Sequence, residues 1–305
     1  MRRSLRFAIL ALTCAGSALA PAPASAKPTV VATLADLLVL TRPIAGDLLD
    51  VKLATRFGQN PHDLEIRPSQ ILLVKRADIL VRNGLEEDMW VHSIVESSGN
   101  PKLLRGSPNV IEAARGIEVL ERPTVVVDRS MGDIHPLGNP HYVLDPSNVP
   151  IVTANILTGL AYFMPDYAAR FEANRQAFLE KVAAADKRWQ QTLAPYRATK
   201  LVAYHKAWAY FYRHFGLVDG GTIEDRPGIP PSPQHVAALI RQMKNDKVKV
   251  ILLETWYPRE VSDFIARETG AQVLTVPQTP GAVKGTEDYI SHMDYLVNAI
   301  AKALA

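Results

Sequence analysis

The tripeptide Asn-Pro-His occurs twice, as Asn60-Pro61-His62 and Asn139-Pro140-His141, and a third histidine, His205, closes the apolar run Leu201-Val202-Ala203-Tyr204. Imidazole is the commonest protein ligand for zinc-like ions. A proline just before the first two rings fixes φ at one bond and narrows the positions the loop can sample. One histidine in a proline-rich loop is ordinarily a solvated polar residue. The repeated tripeptide and a third member at a strand end point instead to one site assembled from distant parts of the chain. Zinc accepts tetrahedral nitrogen and oxygen donors, so three neutral imidazoles with one carboxylate or water would satisfy it. Calcium and magnesium prefer oxygen-rich shells, whereas copper and nickel suit the same ligand types. His205 is expected to open a helix, whose positive end favours an uncharged ring.

The remaining histidines are less suggestive. His135 lies six residues before His141 in the same Gly/Pro segment and reads either as an auxiliary ligand or as a solvated loop residue. His92, His214, His235 and His292 fall on helical patterns with no partner at ligand spacing and read as surface or capping residues. Trp208, Tyr210, Phe211 and Phe215, beside His205, read as core.

The elements that must hold these residues follow from periodicity. Short β-branched runs are expected as strands near 29–32, 51–55, 79–82 and 110–111, with helices near 34–47, 68–76 and 86–97. The second half repeats the style, with strands near 201–204, 218–223, 248–253 and 272–276 and helices near 207–215, 233–245, 258–269 and 286–304. Strands alternating with helices of this length imply parallel sheets, and ligands of such sheets bind beyond the carboxyl ends of the strands. Ser232 reads as an N-cap with Pro233 at the first helical position. Between the halves, Tyr167, Phe171, Phe178, Val182, Ala185, Trp189 and Leu193 make one apolar stripe interrupted only at Asn174. Asp166 can cap this helix and Pro195 stops it. Its roughly 28 residues would span about 40 Å at a rise of 1.5 Å each, the dimension of a strut between two lobes.

The amino-terminal 26 residues read as an export signal. Arg2, Arg3 and Arg6 are the positive region, 7–20 the apolar one, and Ala24-Ser25-Ala26 the cleavage site. Those three arginines equal the whole formal excess of +3, so the chain after cleavage is neutral and offers no argument for nucleic acid or anionic lipid. The single cysteine, Cys14, leaves with the signal, which removes thiolate zinc sites and disulfides from consideration. No later run is long and apolar enough for a transmembrane span. The expected division is a signal over 1–26, an N-terminal α/β lobe over 27–164, a linking helix over 165–195 and a C-terminal α/β lobe over 196–305.

The order of features resembles a known family. Gly-Asn-Pro-His-Tyr-Val-Leu-Asp-Pro (138–146) precedes the long helix, and Tyr-His-Lys-Ala-Trp-Ala-Tyr-Phe (204–211) and Pro-Gly-Ile-Pro-Pro-Ser-Pro (227–233) follow it. This pattern is similar to that of the zinc/manganese-type solute-binding proteins of metal ABC importers. The resemblance implies an α/β fold of two lobes with mainly parallel sheets, joined by one long rigid helix, with the metal in the interlobe cleft. It implies that His62 and His141 are the first-lobe ligands and His205 a second-lobe ligand. Manganese-type members often carry glutamate at that third place, so histidine favours Zn2+ over Mn2+. The family's fourth ligand is usually an aspartate after the last strand of the second lobe. This chain has Leu274-Thr275-Val276-Pro277-Gln278 there and no acid until Glu287. Glu254 is the best placed replacement; water, Glu224, Asp225 and His135 are the alternatives, and a structural role for Glu254 stands beside them.

The resemblance thus implies a periplasmic monomer that captures zinc and delivers it to the membrane permease of an ABC importer, with no catalytic activity. A secreted zinc hydrolase is the alternative, since three histidines and water also form a catalytic shell. Against it, the chain lacks a His-Glu-x-x-His helix. A surface adhesin on the same fold would call for a lipid anchor, and Ala11-Leu12-Thr13 before Cys14 is a poor match to one.

Overall fold

The computed structural model describes residues 26–62, 64–125 and 135–305. All but the last residue of the expected export signal lies outside them. Strands β1 (Thr29–Ala32), β2 (Asp50–Leu53), β3 (Ile79–Arg82) and β4 (Val110–Glu112) form a parallel sheet in the order β2-β1-β3-β4. Strands β5 (Lys200–Ala203), β6 (Val218–Thr222), β7 (Val250–Glu254) and β8 (Gln272–Val276) form a second parallel sheet in the corresponding order, β6-β5-β7-β8. The two halves therefore share one topology. Each first strand lies inside its sheet, so the connections after it diverge and leave a crevice at the carboxyl ends.

Helices α1 (Ala35–Ala45), α2 (Pro68–Lys75) and α3 (Trp90–Ser98) belong to the first half. Helices α4 (Val149–Phe163) and α5 (Ala168–Leu193) follow it, and α6 (Ala209–Phe215), α7 (Pro233–Asp246), α8 (Glu260–Thr269) and α9 (Tyr289–Leu304) complete the second. Of the helices, α4 has no counterpart in the periodicity. Val149, Ile151, Val152, Thr153 and Gly159 are all weak helix formers, and tertiary packing decides the matter. A Cβ on Gly159 would come within 2.2 Å of Ile111, so the missing side chain lets α4 lie directly on β4.

Residues alternate between two cores along each inner strand, as the twofold period of a strand requires. Val30, Ala32, Ile79 and Val81 join a central core, while Val31 and Leu80 face a separate outer one. In the second sheet Leu201, Ala203, Val250 and Leu252 enter the same central core, and Val202, Ile251 and Leu253 face the opposite side. One apolar core thus runs through both lobes, with an outer cluster on each.

Helix α5 runs for 26 residues, flanked by one-turn 3-10 segments at Pro165–Tyr167 and Ala194–Tyr196. Phe171, Phe178, Val182, Ala185, Trp189 and Leu193 bury their side chains in the central core. Asn174, the gap in the stripe, donates from Nδ2 to the Ile44 carbonyl at the end of α1, 3.0 Å away. Trp189 Nε1 donates to Asp294 of α9 at 2.6 Å. The helix is thus fastened to both halves. Asp166 does not cap it: the N-cap is Tyr167, without a side-chain bond. Ser232 does cap α7, accepting from the His235 amide at 3.2 Å.

His214, expected as a surface or capping residue, instead joins three parts of the chain. Its Nδ1 lies 2.8 Å from Asp145 Oδ1 and its Nε2 2.7 Å from Asp186 Oδ1 on α5, and Arg213 Nη2 reaches the other Asp145 oxygen at 3.1 Å. Both ring nitrogens can donate only when the imidazole is protonated. Burial alone would push the ring's pKa down; the two carboxylates outweigh it and hold the pKa above the ordinary 6.5. A raised folded pKa means this contribution is complete below pH 6.5 and fades as pH climbs through the folded value. His214→Gln should therefore cost on the order of 2 kcal/mol near pH 6 and clearly less near pH 9. Urea denaturation at both pH values checks this, and equal losses would refute it.

His292 is another departure from expectation. It is buried, and its Nε2 lies 2.8 Å from the Pro277 carbonyl, which fastens α9 to the loop after β8. Burial lowers its pKa to about 4, so the ring is neutral and Nε2–H donates.

Candidate metal centre

The two Asn-Pro-His tripeptides fold alike. The Asn60 Oδ1 accepts from the His62 amide at 3.1 Å, and the Asn139 Oδ1 accepts from the His141 amide at 3.0 Å. Each is an Asx turn, in which a side-chain carbonyl holds the backbone two residues on. Asparagine closes the turn, proline sets the intervening φ, and the imidazole is delivered from a fixed stem. The second tripeptide is also tied to the other half of the molecule. Tyr210 Oη of α6 donates to the Asn139 carbonyl at 2.9 Å, and Asn139 Nδ2 donates to the Lys206 carbonyl at 3.0 Å.

His62, His141 and His205 are brought together. Ring centroids are 5.5 Å apart for His62 and His141, 5.0 Å for His62 and His205, and 5.5 Å for His141 and His205. His205 does not open a helix. It stands in a bend two residues beyond β5, and α6 begins only at Ala209, because β5 ends into the tight segment Tyr204–Ala207 first. Its orientation comes instead from Glu224, whose Oε2 lies 2.9 Å from Nδ1. A buried carboxylate accepting from Nδ1–H leaves the Nε2 lone pair free for a metal.

His135 joins the same cluster, with its ring 5.0 Å from that of His62. So does a residue absent from the expectations above. Glu87 is 4% exposed, and its carboxylate lies 3.8 Å from His62 Nε2, 3.4 Å from His135 Nε2 and 3.6 Å from His141 Nδ1. Ligand atoms of His62, Glu87, His135 and His141 all fall within 4.8 Å of one another. Among the described residues, Nε2 of each of these three histidines and Oε2 of Glu87 are buried without a hydrogen-bond partner. Unpaired buried polar atoms are costly, and their concentration on the residues of this cluster fits a bound cation.

The helix expected from residue 86 begins instead at Trp90, and the reason explains how Glu87 enters the site. Gly84, Leu85 and Glu86 have φ of 81°, 51° and 66°, so the chain after β3 makes a left-handed turn. Two non-glycine residues in that region are strained, and such strain clusters at functional sites. Asp88 anchors the turn. It is fully buried, and its Oδ2 accepts from Thr33 Oγ1 and from the Asn83 amide, each at 2.6 Å.

Glu254, the expected fourth ligand, is the last residue of β7 and fully buried. Its Oε1 accepts from Trp208 Nε1 at 2.8 Å, and it stands outside the four-residue group. Burial raises its pKa to about 7, against the opposing pull of His205 and Trp208. Gln278 occupies the neighbourhood of the missing aspartate, with Nε2 3.0 Å from His141 Nδ1 and Oε1 unpaired. In the isosteric amide orientation the oxygen accepts from Nδ1–H, which leaves His141 Nε2 free. Burial and then neighbouring imidazoles hold His62 and His141 well below the ordinary histidine range, and His135 falls to about 4 for the same leading reason. Burial, then Asp88 and Asp36, raises Glu87 well above the carboxylate range.

The family model described as zinc-uptake complex component A, periplasmic (ZnuA), matches residues 30–303. The chain belongs to this family. It is 28% identical over 290 residues to the iron-binding protein YfeA of Yersinia pestis, covering 92% of this chain and 88% of that one. It is 26% identical over 282 residues to the high-affinity zinc uptake system protein ZnuA of Bacillus subtilis, covering 90% and 87%. A crystal structure of ZnuA superposes with a TM-score of 0.76 at 26% identity, over 92% of this chain and all of that one. The binding protein FpvC of Pseudomonas aeruginosa, in complex with Mn2+, superposes with a TM-score of 0.75 at 25% identity, over 91% of this chain and 98% of that one. The two-lobe α/β architecture with a long helix is therefore that of the ZnuA family.

Within this family member, Glu87 is the residue of the candidate cluster that sequence reasoning missed. The run Glu86-Glu87-Asp88 reads as the start of a helix. The available signal was position: three acids four to six residues beyond the carboxyl end of β3.

Proposed function

We propose that this chain captures a divalent transition-metal ion, zinc foremost, between its two lobes and hands it to the membrane permease of an ABC importer. It acts as an exported, periplasmic monomer and not as an enzyme. The lobes correspond to 27–164 and 196–305, with 165–195 linking them. The observation that carries the reading is the convergence of His62, His141 and His205 from both sheets, with unpaired buried nitrogens on His62 and His141. Neutral imidazoles outnumber carboxylates in the cluster, which suits zinc better than manganese. Relatives include proteins named for zinc and for iron, and one solved with nickel, so the choice of zinc rests on the donor set. The hydrolase alternative finds no support among the relatives, which are metal-uptake proteins. Among the described residues no helix is long and apolar enough to cross a membrane.

In this reading Glu254 is a structural acceptor for Trp208, and the carboxylate grouped with His62, His135 and His141 is Glu87. Zinc titration of the metal-free protein should saturate at one ion per chain, and manganese should compete poorly. Glu254→Gln keeps an oxygen that can accept from Trp208, so its zinc affinity should stay within about threefold of wild type, under 1 kcal/mol. A loss of tenfold or more in the folded variant would return Glu254 to the shell. Saturation at zero ions would end the capture reading itself.

A further inference from the structure

The cluster holds more donors than a tetrahedral ion can use. Zinc in a closed site takes four, yet His62, Glu87, His135, His141 and His205 surround one space. The surplus has a pattern. Four of the five precede α4 and belong to the first lobe, and only His205 comes from the second. The first-lobe four already have ligand atoms within 4.8 Å of one another, and each also carries a buried atom with no hydrogen-bond partner among the described residues. His135 and His205 stand equally close to His62, with ring centroids 5.0 Å away in both cases.

We propose that His62, Glu87, His135 and His141 form a complete shell within the first lobe, able to hold a zinc-type divalent ion without His205. The inference rests on the capture reading above and deepens it. Three imidazole nitrogens and one carboxylate oxygen are a sufficient tetrahedral set. The strained turn at Leu85 and Glu86, held by the fully bonded Asp88, supplies the carboxylate. His205, held by Glu224, is then an exchangeable donor. Separating the lobes removes one imidazole, which His135 replaces, and the ion stays with the first lobe. Delivery would therefore begin with loss of His205 and end with dissociation from the first-lobe four.

Competition titration with zinc on the full chain tests this, comparing wild type, His205→Ala, the double variant Glu87→Gln/His135→Ala, and His141→Ala. His205→Ala should still bind one zinc, within about tenfold of wild type, and the double variant should bind at least tenfold more weakly than His205→Ala. A smaller gap, a reversed order, or no measurable zinc on His205→Ala overturns the proposal. His141→Ala separates this from failure of the underlying reading: wild-type affinity there means that the ion binds elsewhere. Circular dichroism checks folding. If the double variant does not fold, the isosteric Glu87→Gln replaces it, with a threefold gap relative to wild type as the threshold.

Discussion

Alanine at His141 is expected to weaken zinc binding by at least a hundredfold, about 2.8 kcal/mol. The ring belongs to both possible donor sets, the one with His205 and the one with Glu87 and His135, so no rearrangement within the cluster replaces it. The turn that carries it should survive, because Asn139 holds the backbone amide of residue 141 and not its side chain. Tyr142 remains bonded to the Asn83 carbonyl at 2.9 Å, which secures the following 3-10 turn. Competition against a chromophoric chelator measures the effect. A folded His141→Ala protein with wild-type affinity would remove this residue from the site.

Zinc should also raise the melting temperature substantially. The donors come from loops after β2, β3, β4 and β5 and meet only in the folded chain, so the ion binds the native state almost exclusively. Stabilisation then follows mass action and reaches about 4 kcal/mol at a thousandfold excess over Kd. For a protein of this size that corresponds to a shift on the order of 10 °C. The sign is reinforced by the buried polar atoms without hydrogen-bond partners on three histidines and one glutamate, which a bound ion would satisfy. Calorimetry with chelator and with added zinc gives the comparison. Coincident melting curves would contradict binding at this cluster.

Much of the fold was legible because its signals are local. All eight strands among the described residues fall within two residues of their expected places, since short β-branched runs bounded by polar turns are diagnostic of buried parallel strands. The stripe on α5 was legible for the same reason, and even its gap at Asn174 has a structural meaning. Helix α4 was not, because contact with β4 through Gly159 overrides its weak propensity. The site divides along similar lines. A repeated tripeptide can be seen in one dimension, but the Asx turns that explain it cannot. Glu87 was hidden because its inward course depends on positive φ at Leu85 and Glu86, which neither residue type advertises. His214 and His292 read as ordinary helix residues, since their partners Asp145, Asp186 and Pro277 lie 15 to 69 residues away in sequence.

The shared central core bears on how the protein comes apart. Val30 and Ile79 of the first sheet, Leu201 and Val250 of the second, and Phe178 and Trp189 of α5 belong to one apolar cluster. Cutting the chain within α5 would leave each fragment with a large uncovered apolar face, so neither half is a separately stable folding unit. Heat or denaturant should then undo both halves in one cooperative step, although the topology repeats itself almost strand for strand. The duplicated architecture behaves thermodynamically as a single molecule.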